Sequence, residues 1–257
     1  MLGQQPSRGS KVQLASLIKF VSQNLKNVTA IILICHAEAL HSVYQEHKGA
    51  HDPGLTSEGV AQCLKLREHL KTRLSGRKVE RIIVSPMRRT METALYTLDW
   101  LVQDGGVPTE ASALWQAIYN KPCDTGRAIE GIKLDKTFDC VDSSKIDSIW
   151  PDKTSPRAAL YHCFPHSIIQ RGQKALRDLD KSDEGIVIIV SHNGFMRMGL
   201  IGQWTGNADY LVHSIVQGEQ YGSLKLIEQE GMEVGAMWRS VVLKTDLGVL
   251  PEEVSNI

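Results

Sequence analysis

Long apolar runs are absent from this chain of 257 residues, and its charge has no excess of either sign. The longest strongly apolar run, from Val28 to Cys35, is far shorter than the roughly 20 residues that cross a bilayer. The 29 basic residues balance the 29 acidic ones, which argues against a nucleic acid or an anionic membrane as partner. No apolar segment lies beside the first residues, MLGQQPSRGSK, so we expect no secretory signal.

Cysteine pairs at metal-binding or redox spacing are also missing. The five cysteines are odd in number and lie far apart without a CxxC pair, at Cys35, Cys63, Cys123, Cys140 and Cys163. This distribution argues against a disulfide framework or a zinc site and favours a reducing compartment. We therefore expect a cytoplasmic protein without metal or cofactor, whose partner is a small-molecule substrate. A homodimer is compatible with these features.

Three short apolar runs have the composition of buried parallel strands. They are TAIILIC (29–35), ERIIVS (80–85) and GIVIIVS (185–191). Helical patterns alternate with them, over residues 56–74, 87–103, 156–180 and 194–204. The alternation predicts an α/β fold, a three-layer sandwich with a mostly parallel central sheet and helices on both faces.

The remaining segments divide the chain into an extension and one domain. Residues 1–27 are predicted to contain a helix that begins near Ser10 and packs on the main body, with a membrane surface as the alternative contact. Residues 28–257 form the domain, and SLKLIEQE and MWRSVVLK are predicted as its edge strands or a hairpin. An inserted segment near 119–155 is long enough to cover an active site.

Polar side chains follow each of the three predicted strands. His36 and Glu38 come after the first strand, Arg89 after the second, and His192 and Asn193 after the third. Ligands of open α/β sheets bind at the carboxyl ends of the strands, so we expect these side chains to share one pocket. Two histidines and an arginine from separate strands predict a functional pocket that contains His36, His192 and Arg89.

The chain resembles the histidine phosphatase superfamily, in its phosphoglycerate-mutase-like branch of fungal type. The resemblance covers roughly residues 28–245 and rests on the segments LICHAEALHSVYQEH, DPGLTSEGVAQ, IIVSPMRRTMETA, NKPCDTG and VSHNGFMR. It implies that His36 is the nucleophile that becomes a phosphohistidine. It further implies that Arg89 and His192 hold the phosphoryl oxygens, together with a second arginine, while a carboxylate protonates the leaving group.

The same resemblance implies a degenerate active site. Cys35 stands where the first arginine belongs, Ser42 where an asparagine is expected, and Ala117 where the acid should be. Asn193 replaces a glycine after the second histidine. Arginine forks and positioned acids both contribute strongly to phosphate-ester turnover, so we expect trace phosphatase activity at most.

The exchanges at Cys35, Ser42 and Ala117 remove charge or polarity from the expected pocket, which then fits a neutral organic molecule better than a phosphate ester. Trp115 and Tyr119 either add aromatic surface to this pocket or pack in the core. Cys35 either fills the space of the missing arginine or acts as an activated thiol. The expected substrate-binding residues are Cys35, Glu38, Ser42, Ala117, Trp115, Tyr119 and Asn193.

Three functions follow as alternatives. The first is a cofactor-free acid–base enzyme, an isomerase, cyclase or dehydratase, that acts on a small, mostly neutral metabolite of secondary metabolism. The second is a phosphatase in which Glu38, Asp124 or Glu130 supplies the missing acid. The third is a pseudophosphatase, a non-catalytic binding protein whose pocket is vestigial or senses a ligand.

Overall fold

The computed structural model describes residues 30–43, 49–179, 185–216 and 223–228. These residues contain a six-stranded sheet in the order β3-β2-β4-β1-β5-β6. Its strands are β1 (Ala30–Cys35), β2 (Val79–Val84), β3 (Thr109–Ala111), β4 (Ile186–Ser191), β5 (Tyr210–Val216) and β6 (Ser223–Glu228). Strands β1 to β4 run parallel, whereas β5 is antiparallel to β1 and β6 to β5. The predicted α/β fold with a mostly parallel sheet is confirmed.

Helices flank this sheet. They are α1 (Leu40–Val43), α2 (Ser57–Arg73), α3 (Arg88–Asp99), α4 (Ile129–Leu134), α5 (Pro165–Leu179) and α6 (Asn193–Met196). Helix α2 packs on α3, while α5 packs on the π turn Arg197–Ile201 that continues α6. All six residues of β4 are buried, and successive side chains of a strand point to opposite faces, so both faces of this strand are covered. None of the helices in the described ranges is long and apolar enough to cross a membrane.

The sequence pattern does not predict two of the strands. Strand β3 has only three residues, too few to form an apolar run. Strand β5 contains His213 and Ser214, which interrupt its apolar residues. Strand β6 confirms the predicted edge strand in SLKLIEQE, whereas the helix predicted near Ser10 and the segment MWRSVVLK lie outside the described residues.

Three predicted helices are shorter than expected. The helix predicted over 156–180 begins at Pro165, after a separate 3-10 turn at Pro156–Tyr161. Proline lacks an N–H group and fits the first turn of a helix, so each of these two prolines begins a separate element. The helices predicted over 87–103 and 194–204 each change into a π turn, at Trp100–Asp104 and Arg197–Ile201.

The segment 119–155 consists of helix α4 and short 3-10 turns, which are Pro122–Asp124, Lys136–Phe138 and Ser143–Lys145. The first of these turns reaches the carboxyl ends of the strands, where Cys123 and Asp124 contact Arg89. Whether the segment closes over a ligand stays a prediction.

A threonine joins helix α2 to the loop after β1. Thr56 Oγ1 accepts a hydrogen bond from Gly59 N at 2.9 Å, which caps the helix, and donates to Glu38 Oε1 at 2.7 Å. Thr56 N also donates to Glu38 O at 3.0 Å. Because Glu38 follows His36 by two residues, this cap holds the loop that carries the first histidine.

Candidate active site

The ring of His36 has a defined tautomer. His36 follows β1, and its Nδ1 lies 2.8 Å from Ala37 O, so Nδ1 carries the proton and donates it. Its Nε2 lies 3.3 Å from Arg89 Nε and accepts a hydrogen bond there. Burial, and then the charge of Arg89, lower the pKa of His36 well below 6.5. His36 is therefore a neutral imidazole whose Nε2 lone pair points to a buried cation.

His192 has the opposite tautomer. Arg89 Nη2 lies 3.1 Å from His192 Nδ1, and an arginine can only donate, so Nδ1 is the acceptor. The proton therefore lies on Nε2, which is 2.8 Å from Ser85 Oγ. Burial, followed by Arg89, lowers the pKa of His192 well below 6.5. The two imidazole rings are 5.2 Å apart between centroids.

Arg89 joins these histidines to the inserted segment. It lies in the first turn of α3 with 1% of its surface exposed. Beside both histidines, it donates to Cys123 O at 2.7 Å and to Asp124 Oδ1 at 3.0 Å. Burial lowers the pKa of Arg89, while the Asp124 carboxylate opposes this effect. A carboxylate thus already balances the one cation between the histidines.

Cys35 and Ala117 bring neither charge nor an acidic proton to the site. Cys35 is buried, and desolvation raises the pKa of its thiol to about 12, so it is a neutral thiol. This favours the interpretation that Cys35 fills space over that of an activated nucleophile. Ala117 is buried as well, and its carbonyl accepts a hydrogen bond from Lys153 Nζ at 2.8 Å.

Three other predicted binding residues contact protein groups. The Glu38 carboxylate is held by Thr56, and Ser42 Oγ lies 3.4 Å from His41 Nε2 on an exposed turn. The Asn193 amide donates to Thr205 O at 2.6 Å and accepts from Thr205 N at 3.0 Å. Contact of these side chains with a substrate stays a prediction.

The two aromatic residues differ in their surroundings. Trp115 is 2% exposed, and its ring packs edge-on against Phe195 with the centroids 5.9 Å apart, so it belongs to the core. Tyr119 is half-buried, with the Lys121 ammonium 5.2 Å above its ring. Of the two, Tyr119 is the residue that presents aromatic surface.

The sequence pattern does not identify several neighbours of the site. Their positions near strand ends or in the inserted segment are the one hint that it contains. Ser85 orients His192, and the ring of His41 lies 6.3 Å from that of His36. Lys153 is 5% exposed and donates to three carbonyl groups, those of Ala117, Tyr119 and Asp124. These contacts fix the inserted segment to the residues that follow β3.

Part of the chain is similar to a known family. Residues 31–105 match the sequence model of the histidine phosphatase superfamily (branch 1), and this range holds both His36 and Arg89 at the geometry described above. The third predicted catalytic residue, His192, lies outside the matched range.

Proteins with similar sequences carry phosphatase or mutase-like names. A probable phosphatase of Schizosaccharomyces pombe is 27% identical over 172 residues, which cover 65% of this chain and 76% of the relative. A phosphoglycerate mutase-like protein of Arabidopsis thaliana is 28% identical over 208 residues, covering 67% of this chain and 73% of the relative.

Solved structures with the same fold include mycobacterial hydrolase 2, with a TM-score of 0.51 and 16% identity over 82% of this chain and 94% of that one. A mycobacterial glucosyl-3-phosphoglycerate phosphatase, solved with VO3, has a TM-score of 0.50 and 15% identity. That match covers 79% of this chain and 100% of the other. At such identity, the likeness establishes the fold alone.

Proposed function

We propose that this protein is a member of the histidine phosphatase superfamily that works as a cofactor-free acid–base enzyme, an isomerase, cyclase or dehydratase, and acts on a small, mostly neutral metabolite. One contact carries the proposal: the unprotonated His36 Nε2 lies 3.3 Å from the Nε of a buried arginine, Arg89. A base beside a fixed cation is the arrangement that removes a proton from a carbon next to a carbonyl group.

The reaction begins when a substrate carbonyl oxygen accepts a hydrogen bond from Arg89, which polarises the carbonyl. His36 Nε2 then takes the proton from the neighbouring carbon, and the electron pair moves to the oxygen to give an enolate. Arg89 stabilises this oxyanion, as buried donors do in other enzymes. His36 then returns the proton: to another carbon in an isomerisation, to the alkoxide that forms when the enolate carbon attacks a second carbonyl carbon in a cyclisation, or to the departing hydroxide, which leaves as water, in a dehydration.

The charges of the site support a mostly neutral ligand. Asp124 Oδ1 already accepts from Arg89 at 3.0 Å, and its negative charge repels a phosphate dianion. Cys35 remains uncharged because burial raises the pKa of its thiol. A phosphoryl group is best held by several charge-assisted donors, and here the arginine between the histidines has a carboxylate beside it.

A phosphatase is the second candidate, and the tautomer of His36 favours it. With Nδ1–H bound to Ala37 O, the unprotonated Nε2 is the atom that would attack phosphorus. Among the three carboxylates considered as replacement acid, Glu38 is bound to Thr56 and Glu130 is exposed on α4, whereas Asp124 lies at Arg89. Asp124 is thus the acid that this alternative requires.

The two candidates are separated with the wild-type protein, His36→Ala and Arg89→Gln. We expect the wild type to accelerate exchange of α-hydrogens of neutral ketones such as cyclohexanone in D2O, followed by NMR. The exchange should fall by about 10²-fold or more in His36→Ala, the scale of a lost general base. Equal exchange in all three proteins would contradict the acid–base proposal.

The same proteins are assayed on an aryl phosphate beside the Cys35→Arg/Ala117→Glu double variant. We expect wild-type turnover at the level of His36→Ala and a gain of at least about 10²-fold in the double variant, since it restores a phosphate donor and a general acid. Wild-type turnover well above His36→Ala, with phosphohistidine trapped at His36, would establish the phosphatase. If the wild type has neither activity and His36→Ala binds ligands as the wild type does, the result would indicate the pseudophosphatase.

A further inference from the structure

Two buried polar residues beside the histidine site take no part in the contacts described above. Arg171 of α5 and Gln116 have no exposed surface. Arg171 Nη2 donates to Gln116 O at 2.9 Å, and its guanidinium lies 4.4 Å from the ring centre of Phe195 in α6. Phe195 follows His192 by three residues, and Trp115, the residue before Gln116, accepts a hydrogen bond from Ser191 Oγ at 2.7 Å, so the pair lies beside this histidine.

Four polar atoms of this pair have no hydrogen-bond partner among the residues that the structure describes. They are Nε and Nη1 of Arg171 and Nε2 and Oε1 of Gln116. Folded proteins rarely leave buried donors and acceptors unpaired, because each such group has lost its water without replacement. Two adjacent side chains with unused donors indicate a site whose partner is not among the described residues, and a bound ligand would supply it.

The charge of Arg171 is also uncompensated. Only the Tyr161 phenol raises its pKa, which burial lowers to about 9, and no carboxylate of the described residues acts on it. Burial lowers the pKa of Lys153 to about 7, and the donors of this side chain are used by backbone carbonyls, while Asp124 balances Arg89. The interior around His192 therefore has an excess of positive charge that a bound anion would compensate.

We infer that Arg171 and Gln116 form an oxyanion subsite, which binds a carboxylate of the molecule on which the histidines act. Arg171 Nε and Nη1 and Gln116 Nε2 are the donors, and charge-assisted hydrogen bonds of this kind favour anionic oxygen over a neutral group. The inference rests on the proposed function, in which the rest of the ligand is neutral. A metabolite with one carboxylate and no other charge fits both the proposed function and the subsite.

The test measures binding of sodium benzoate by calorimetry at constant ionic strength, with benzamide and inorganic phosphate as comparison ligands. We expect the wild type to bind benzoate at least about 10-fold more tightly than benzamide, since only the former supplies anionic oxygen for these donors. Inorganic phosphate distinguishes a site for carboxylates from one for phosphoryl groups, and we expect it to bind more weakly than benzoate.

Two variants locate the site. Gln116→Leu keeps the volume and removes the amide donor, and Arg171→Lys keeps the charge and removes the guanidinium, so each should weaken benzoate binding by about 10-fold or more. Gln173→Leu, a glutamine two residues away on α5, is the matched control and should bind as the wild type does. Circular dichroism and thermal unfolding verify that each variant is folded.

His36→Ala separates this inference from the proposed function. Benzoate binding should persist in this variant even though ketone exchange is lost, because His36 is not part of the subsite. Loss of exchange with unchanged benzoate binding would thus support both, whereas exchange without benzoate binding would overturn the subsite alone. Benzoate binding that is abolished by Arg89→Gln and unaffected by Gln116→Leu would also overturn it, by placing the anion at Arg89.

Discussion

The guanidinium of Arg89 determines which nitrogen of each neighbouring histidine carries a proton. It donates from Nε to His36 and from Nη2 to His192, so both facing nitrogens must be unprotonated. The protonated nitrogens on the far sides of the two rings then donate hydrogen bonds to Ala37 O and Ser85 Oγ. A lysine at position 89 has no planar fork and could not impose both tautomers at once.

Cys35 provides a prediction at this scale, since its thiol is buried and its pKa is raised to about 12. In the folded protein, we expect iodoacetamide at pH 8 to leave Cys35 unmodified while the exposed Cys140 reacts. Peptide mass spectrometry identifies the modified residue, and the same reaction in guanidinium chloride should modify both. Rapid alkylation of Cys35 in the native protein would revive its interpretation as an activated nucleophile.

Single residues also show how far the sequence leads to the site. His36, Arg89 and His192 each follow an apolar strand, so their proximity follows from the geometry of a parallel sheet. Arg171 and Lys153 have no such position, because one lies within a helix and the other in the irregular inserted segment. Their burial depends on packing between distant segments, which leaves no periodic trace in the sequence.

The contact of α5 with the π turn Arg197–Ile201 depends on two glycines. A Cβ atom at Gly172 would collide with the Gly199 carbonyl group, which is backbone and cannot rotate away. This close approach holds the helix that carries Arg171 against the elements that follow His192.

We therefore expect Gly172→Ala to lower the free energy of unfolding by about 1–3 kcal/mol, the usual cost of inserting a methyl group into a packed contact. Gly131→Ala in α4 is the control, since its nearest neighbour is the Arg127 Cβ at 3.8 Å and alanine favours a helix. Urea unfolding compares the two variants with the wild type. Equal stability of both variants would show that α5 shifts without cost.

Elements differ in how well their sequences predict them. The strands β1 and β4 have continuous apolar runs because both of their faces are buried, and their places follow from that pattern. Strand β2 is apolar and buried only in its second half, at Ile82, Ile83 and Val84, which is enough to predict its place. Strand β5 and the short strand β3 obtain their partners from the sheet, so local composition identifies neither. The inserted segment 119–155 is recognisable by its length, but its contacts with Arg89 follow only from the fold.

The whole molecule combines a balanced net charge with several buried histidines. Burial lowers the pKa of His41 and of His213 to about 4, and those of His36 and His192 well below 6.5. In the unfolded chain a histidine titrates near 6.5. Below that pH the unfolded chain binds protons that these four side chains do not bind when folded, so acidification favours unfolding.

We expect the free energy of unfolding to be unaffected by these histidines above about pH 6.5 and to decrease as the pH falls from there towards 4, by at most about 1.4 kcal/mol per pH unit for each histidine. Asp52 and Asp209, whose pKa values are raised by burial, act in the opposite direction at acidic pH. The contribution of one histidine is therefore measured by difference, with His213→Gln as the variant and the exposed His51→Gln as its control. Urea unfolding between pH 4 and 8 should give a flatter pH dependence for His213→Gln than for the wild type and the control. Parallel curves for all three proteins would mean that His213 binds its proton equally well in the folded and unfolded states.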